Sequence, residues 1–159
     1  MLTPPDTVRV TIEHCLDGDT FSAQMHTMSV VMRLAGFDAP ERNQPRGQWV
    51  IGQVKALITN VTFDCVIRGI DHYGRTIVQL LYTPNRDLAI ELLKEGLGWA
   101  DRTHAPEPEK YLKAQEHAQK KAIGIWQDPD PINPAAWRAS HRGPWRNPNA
   151  RLHRRHRGA

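Results

Sequence analysis

The pattern that most limits what this chain can fold into is alternation followed by a turn. Val8, Val10 and Ile12 fall on one side of an extended segment, and Arg9, Thr11 and Glu13 fall on the other. A period of two predicts a strand with one face buried. Asp17-Gly18 then supplies a hairpin turn signal. Phe21–Met25 and Ser29–Phe37 continue as strands, with a bend at Gly36, where side chains can be re-aimed. Residues 48–59 read as a helix whose buried face holds Val50, Val54, Leu57 and Ile58, although Gly52 and the β-branched residues weaken its propensity. Thr62–Arg68 and Thr76–Tyr82 add two strands around Asp71–Gly74. Five strands with a helix inserted after the third make an α+β chain consistent with an OB-like barrel, which strand order alone does not establish.

Two further helices complete the expected core. Asn85 is a suitable N-cap for a helix running to Glu95, with Asp87 in its first turn and Gly96 just past its end. Pro108 suits the first turn of a third helix ending near Ala122, which places Tyr111, Ala114, Ala118 and Ala122 on one face. Glu109–Lys113 and Glu116–Lys120 have the i,i+4 spacing of solvated ion pairs. Trp99, Trp126 and Trp137 read as core or tail-packing residues. From Asp128 onward Pro, Asn and Arg dominate and apolar periodicity stops.

Charge is divided unevenly. Residues 138–159 hold seven Arg and no acid, so the first 137 residues hold 14 Lys and Arg against 17 Asp and Glu, a net −3. The high pI therefore belongs to the tail. Arg142, Arg146, Arg151, Arg154, Arg155 and Arg157 suit a nucleic-acid tether, since Arg neutralises phosphates and releases counterions. The competing reading is a solvated terminus. No run of 18 apolar residues occurs, so no spanning helix is expected. The N-terminus lacks the features of a signal peptide. A cytoplasmic location is expected, although a form whose leader had been removed would read the same. Cys15 and Cys65 lack any CxxC or His-Cys context and read as free core thiols rather than a disulfide or metal pair.

One set of charged residues carries the chemistry: Asp19, Arg33, Asp38, Glu41 and Arg75. Two carboxylates can hold a hard cation. A third can activate water. Two guanidiniums can clamp a phosphate bidentately. Asp17, at the hairpin turn, reads instead as a backbone hydrogen-bonding residue.

The order of Asp17-Gly18-Asp19-Thr20, Val31-Met32-Arg33-Leu34, Asp38-Ala39-Pro40-Glu41 and Asp71-His72-Tyr73-Gly74-Arg75 resembles the staphylococcal nuclease-like (thermonuclease) family. So do Gly96-Leu97-Gly98-Trp99-Ala100, Gly124-Ile125-Trp126 and the closing Pro131, Pro134 and Trp137-Arg138. The resemblance implies a five-stranded OB-like β-barrel with three packed α-helices over residues 8–138. Residues 1–7 would then be an N-terminal extension and 139–159 an Arg-rich, disordered tail. It implies a metal-dependent endonuclease acting on DNA and RNA with little sequence specificity, leaving 3′-phosphate and 5′-hydroxyl ends, in a monomeric protein with no membrane partner. It implies Asp19, Asp38 and the Ala39 backbone carbonyl as ligands of Ca²⁺, with Mg²⁺ less favoured. Glu41 is then the general base, and Arg33 and Arg75 are the phosphate clamps. Thr20, His72 and Tyr73 are expected near the substrate, His72 standing where the family often has Lys. The two substrate-flanking tyrosines of the best-known member are replaced here by the stretch Arg102-Thr103-His104. Two protein carboxylates are few for Ca²⁺, so metal binding without substrate should be weak, toward the upper end of roughly 10⁻⁵ to 10⁻³ M. The alternatives are a catalytically silent OB-fold nucleic-acid-binding adaptor, or an interaction domain retaining the motif as a relic.

Overall fold

A computed structural model describes residues 6–83 and 85–141. Five long strands form the body: β1 (Val8–Asp17), β2 (Thr20–Met25), β3 (Met28–Leu34), β5 (Thr62–Ile70) and β6 (Thr76–Thr83). The sheet order is β3-β2-β1-β5-β6, all antiparallel neighbours, and a parallel pairing of β3 with β6 closes it into a barrel. Closure removes the exposed edges that an open sheet of this size would present. The α+β, five-stranded barrel expected from the sequence is the fold.

Alternation explains the interior. Val10 and Ile12 of β1 point inward, meeting Phe21 and Ala23 of β2, Met32 and Leu34 of β3, Phe63 and Cys65 of β5, and Val78 and Leu80 of β6. Cys15 and Cys65 are both free thiols. Helix α1 (Gly47–Ile58) lies against β1. It buries Val50, Ile51, Val54 and Ile58, each worth about 1.5–3 kcal/mol of apolar burial. Leu57, expected on that face, is exposed, and Ile51 takes its place. At about 100° per residue the buried stripe runs from Val50 to Ile51, and Leu57 falls just beyond its Val50 edge.

Helix α2 spans Leu88–Lys94 and starts later than the sequence suggested. Asn85 is not its cap. Arg86–Asp87 first pair with the end of β6 as a short strand, β7. Asp87 then becomes the N-cap, accepting the Ala89 amide. Helix α3 (Pro108–Lys120) buries Tyr111, Ala114 and Ala118. Ala122 is exposed, because the chain leaves the helix and turns through positive φ there. Among the described residues, Lys110 pairs with Glu107 and Arg102 with Glu109, in place of the expected i,i+4 pairs. Trp99 and Trp126 meet edge to face, with centroids 5.0 Å apart, against the core.

Two features prepare the site. Gly36 turns the chain with φ 83°, and a Cβ there would lie 2.2 Å from the Tyr111 ring, so only glycine fits. Immediately after it, the short strand β4 (Phe37–Asp38) pairs with β8 (Trp99–Ala100), which pins the backbone of Asp38. The second feature is a fourth helix, α4 (Pro134–Ser140), absent from the three-helix expectation. It is too short for periodicity to reveal. Its start was nonetheless encoded: the Asn133 side chain caps Ala135 N–H, and Pro134 sits in the first turn.

Candidate active site

A cleft of about 520 Å³ opens at one side of the barrel. It is lined by Asp19, Arg33, Asp38, Ala39, Glu41, His72, Tyr73 and Arg75, together with Asp17, Pro40 and Arg138. Thr20 is buried and bonded to two of these residues. Every site residue that the sequence motifs single out within residues 1–141 therefore meets in one place.

Each side chain arrives from a different element. Asp19 occupies the turn joining β1 to β2, beside a bulge between Cys15 and Asp17 that bends the strand. Arg33 stands opposite Thr20 across the β2–β3 ladder. Asp38 follows the Gly36 bend on β4, and Glu41 lies three residues further on. Arg75 leads into β6 from the turn at Asp71–Gly74, where Gly74 supplies φ 81°.

Arg33 is the hub. Its Nη1 lies 3.1 Å from Asp19 Oδ2, and its Nη2 3.4 Å from Asp38 Oδ1. Nη1 also donates to the Phe37 carbonyl at 2.7 Å. Asp19 accepts the Ala39 amide at 2.9 Å and the Thr20 hydroxyl at 3.0 Å. Arg75 Nη1 reaches that same hydroxyl at 3.3 Å, so Thr20 links Asp19 to Arg75. Burial pushes the Asp19 carboxyl above the usual range, opposed by Arg33 and by the bonds from Ala39 and Thr20. Burial also raises Asp38, opposed by the bonds from Arg138 and the charge of Arg33. At both carboxylates burial outweighs the cationic and hydrogen-bonding partners.

Arg75 is held by a residue that the motif reading passed over. Asp71 Oδ2 accepts from Arg75 Nε at 2.8 Å, while Oδ1 takes the amides of Tyr73 and Arg75. An Asp at the start of a turn that ends in Gly is the signal that would have found it. Tyr73 is 74% exposed, within stacking reach of His72 (4.0 Å between centroids), and its ring lies 5.3 Å from the Arg75 guanidinium. Among the described residues, Asp17 does not hydrogen-bond backbone through its carboxylate. It faces Arg42 at 3.6 Å and lines the cleft.

The other residue is Arg138, which the sequence motifs include in the closing Trp137-Arg138 pair without a role at the site. It projects from α4 onto Asp38 and Glu41. Trp137 beside it stacks on His141 at 3.6 Å and donates to Asn43. The tether arginines Arg142, Arg146, Arg151, Arg154, Arg155 and Arg157 lie outside the described residues.

The closed five-stranded barrel thus gathers carboxylates and arginines into one open cleft. The staphylococcal nuclease homologue family model matches residues 31–128, and the chain belongs to that family. It is 37% identical over 123 residues to an uncharacterized endonuclease of Haemophilus influenzae, covering 77% of this chain and 68% of that protein. It is 30% identical to an uncharacterized endonuclease of Escherichia coli O157:H7, covering 77% and 80%. It is 27% identical to a micrococcal nuclease of Shigella flexneri, covering 77% and 76%. Family and relatives together support a nuclease, a hydrolase of ester bonds. No helix among the described residues is long and apolar enough to cross a membrane.

Proposed function

We propose that the protein is a divalent-metal-dependent endonuclease that hydrolyses DNA and RNA with little sequence preference, leaving 3′-phosphate and 5′-hydroxyl ends. The observation that carries this reading is the convergence of Asp19, Arg33, Asp38, Glu41 and Arg75 on one cleft. A silent adaptor would need only a binding surface, and nothing in binding alone calls for this arrangement of acids.

The donor set fits a hard cation. Asp19 and Asp38 offer carboxylate oxygens, burial raises both carboxyls, and the Ala39 backbone beside them is drawn in by its bond to Asp19. Among the described residues no group of three His, Cys, Asp or Glu is arranged to hold a metal. Water and the substrate phosphate would have to complete the shell, which favours weak binding in the absence of substrate. We propose Ca²⁺ as the ion, with Mg²⁺ second. When bound, it would supply positive charge to the phosphate oxygens.

The chain's own residues account for the rest. Arg33 and Arg75 both line the cleft, which supports assigning them as the phosphate clamps, and their charge is worth most as negative charge builds on the phosphate oxygens. Glu41 Oε1 is engaged by Arg138, which leaves Oε2 to take the proton of the attacking water. A new O–P bond forms, the P–O5′ bond breaks, and the departing oxygen collects a proton from water. The clamps read phosphate, which carries no sequence. Tyr73, with His72 against it, offers an exposed face on which a base can stack.

The six arginines beyond residue 141 are proposed as the tether. Truncation after His141, which spares α4, should raise KM and flatten its salt dependence, and unchanged values would remove the idea. The products are tested by end analysis of a labelled oligonucleotide. Fragments that a polynucleotide kinase can label at the 5′ end without prior phosphatase treatment support the reading. Fragments that need phosphatase first contradict it.

A further inference from the structure

Arg138 enters the chemistry above only by occupying Glu41 Oε1, yet it contacts two carboxylates of the cleft at once. Its Nη1 donates to Glu41 Oε1 at 2.6 Å and to Asp38 Oδ1 at 3.3 Å, and its Nη2 donates to Asp38 Oδ2 at 3.1 Å. A single planar fork thus spans two carboxylates that would otherwise repel one another.

The segment that delivers it is hitched to the loop that carries Glu41. Arg46 bonds both oxygens of Asp128, at 3.0 and 2.7 Å. Gln44, a buried polar residue, donates to the Ile132 carbonyl at 2.8 Å, while its Oε1 accepts the Glu41 amide at 2.8 Å. Trp137 Nε1 reaches Asn43 Oδ1 at 3.1 Å. Residues 128–138 therefore form a strap along residues 41–46, and Arg138 is its tip. The Arg138 side chain is 44% exposed, so the barrel does not depend on it for its core.

We propose that Arg138 is a positioning residue: its guanidinium fixes the carboxylates of Glu41 and Asp38 relative to each other, and its charge sets how tightly the site takes a divalent cation. This rests on the cleft being the nuclease site. Two consequences of opposite sign follow. Without the fork, Glu41 is no longer held, and turnover falls. Without the positive charge, Asp38 has a free face and less competition, and cation binding tightens. Damage to the fold would weaken both properties together.

The test uses the full chain stripped of metal, as wild type, Arg138→Gln and Arg138→Lys. Calorimetry with Ca²⁺ alone gives the affinity, and cleavage of single-stranded DNA at saturating Ca²⁺ gives kcat. Arg138→Gln should bind Ca²⁺ about fivefold tighter or more, with kcat lower by at least about tenfold. Arg138→Lys should keep the wild-type affinity, because the charge remains, and still lose turnover, because the fork is gone. Unchanged or weaker Ca²⁺ binding in Arg138→Gln would overturn the proposal, as would wild-type kcat in either variant. If Arg138→Gln fails to fold, the Lys variant alone decides by its kcat. A wild type that neither binds Ca²⁺ nor cuts would sink the nuclease reading, and this inference with it. A wild type that cuts and is silenced by Glu41→Gln, beside a neutral Arg138→Gln, would sink this inference alone.

Discussion

Gly47 begins α1 directly beneath the loop that carries Glu41. A Cβ built on it would lie 1.9 Å from the Glu41 carbonyl oxygen, 2.9 Å from the carbonyl carbon and 3.0 Å from the Arg42 carbonyl oxygen. Carbon and carbonyl oxygen do not approach within about 3.0 Å, so Gly47→Ala must drive them apart by about 1.1 Å. The obstacle is backbone on both sides, with no flexible side-chain tip to yield. Overpacking of this kind costs about 1–3 kcal/mol, and a displacement of about 1 Å at a reacting group costs about 10²-fold in rate. The structure also supplies the control. Gly52, in the same helix, is exposed, and a Cβ there meets nothing within 4 Å. Gly52→Ala should stabilise the protein by about 0.5–1 kcal/mol, because alanine forfeits less backbone freedom. The assay is thermal unfolding beside nuclease rate for both variants. Gly47→Ala should lower Tm and cut the rate by about 10²-fold, while Gly52→Ala should raise Tm and leave the rate alone. A Gly47→Ala protein as stable and as active as wild type would refute the reasoning about the loop.

Other outcomes follow from the same contacts. Arg33→Lys and Arg75→Lys keep charge but lose the fork, and each should lose most of its turnover in a steady-state assay. Near-native rates in both would contradict the clamp role. Burial raises the Asp19 carboxyl, so its ionisation lowers stability as pH rises above the unfolded value near 4. Metal-free Asp19→Asn should therefore melt higher than wild type at pH 7, an advantage that shrinks as pH falls toward 4 and comes with lost activity. Burial pushes both Cys15 and Cys65 up to about 11, so a thiol reagent at pH 8 should react slowly with the native protein and promptly after unfolding.

The strands were legible because they announce themselves locally, whereas their closure into a barrel was legible only through the family resemblance. The alternation in β1, the Asp17-Gly18 turn and the Gly36 bend each act over a few residues. Asp19, Arg33, Asp38, Glu41 and Arg75 were legible as a set because their motifs have a characteristic order. What escaped the sequence is what depends on distant partners. Gln44 and Ile132 are 88 residues apart, and Glu41 and Arg138 are 97 apart. No local pattern marks such pairs. The motif Trp137-Arg138 marked the end of the domain but gave Arg138 no partner, because its carboxylates lie so far away in the chain. The Asn133-Pro134 cap was the available clue that an ordered helix came first. The late start of α2 has a different cause: pairing of Arg86–Asp87 with β6 overrode the capping preference of Asn85.

The central claim is that Glu41 serves as the base of a metal-dependent nuclease. Cleavage of single-stranded DNA by wild type and Glu41→Gln, each with Ca²⁺, with Mg²⁺ and with excess chelator, tests it most directly. The account predicts cutting with Ca²⁺, none in chelator, and a loss of roughly 10²–10⁴-fold in the Gln variant. Cutting by Glu41→Gln at the wild-type rate, or binding by wild type without cutting under any ion, would contradict it.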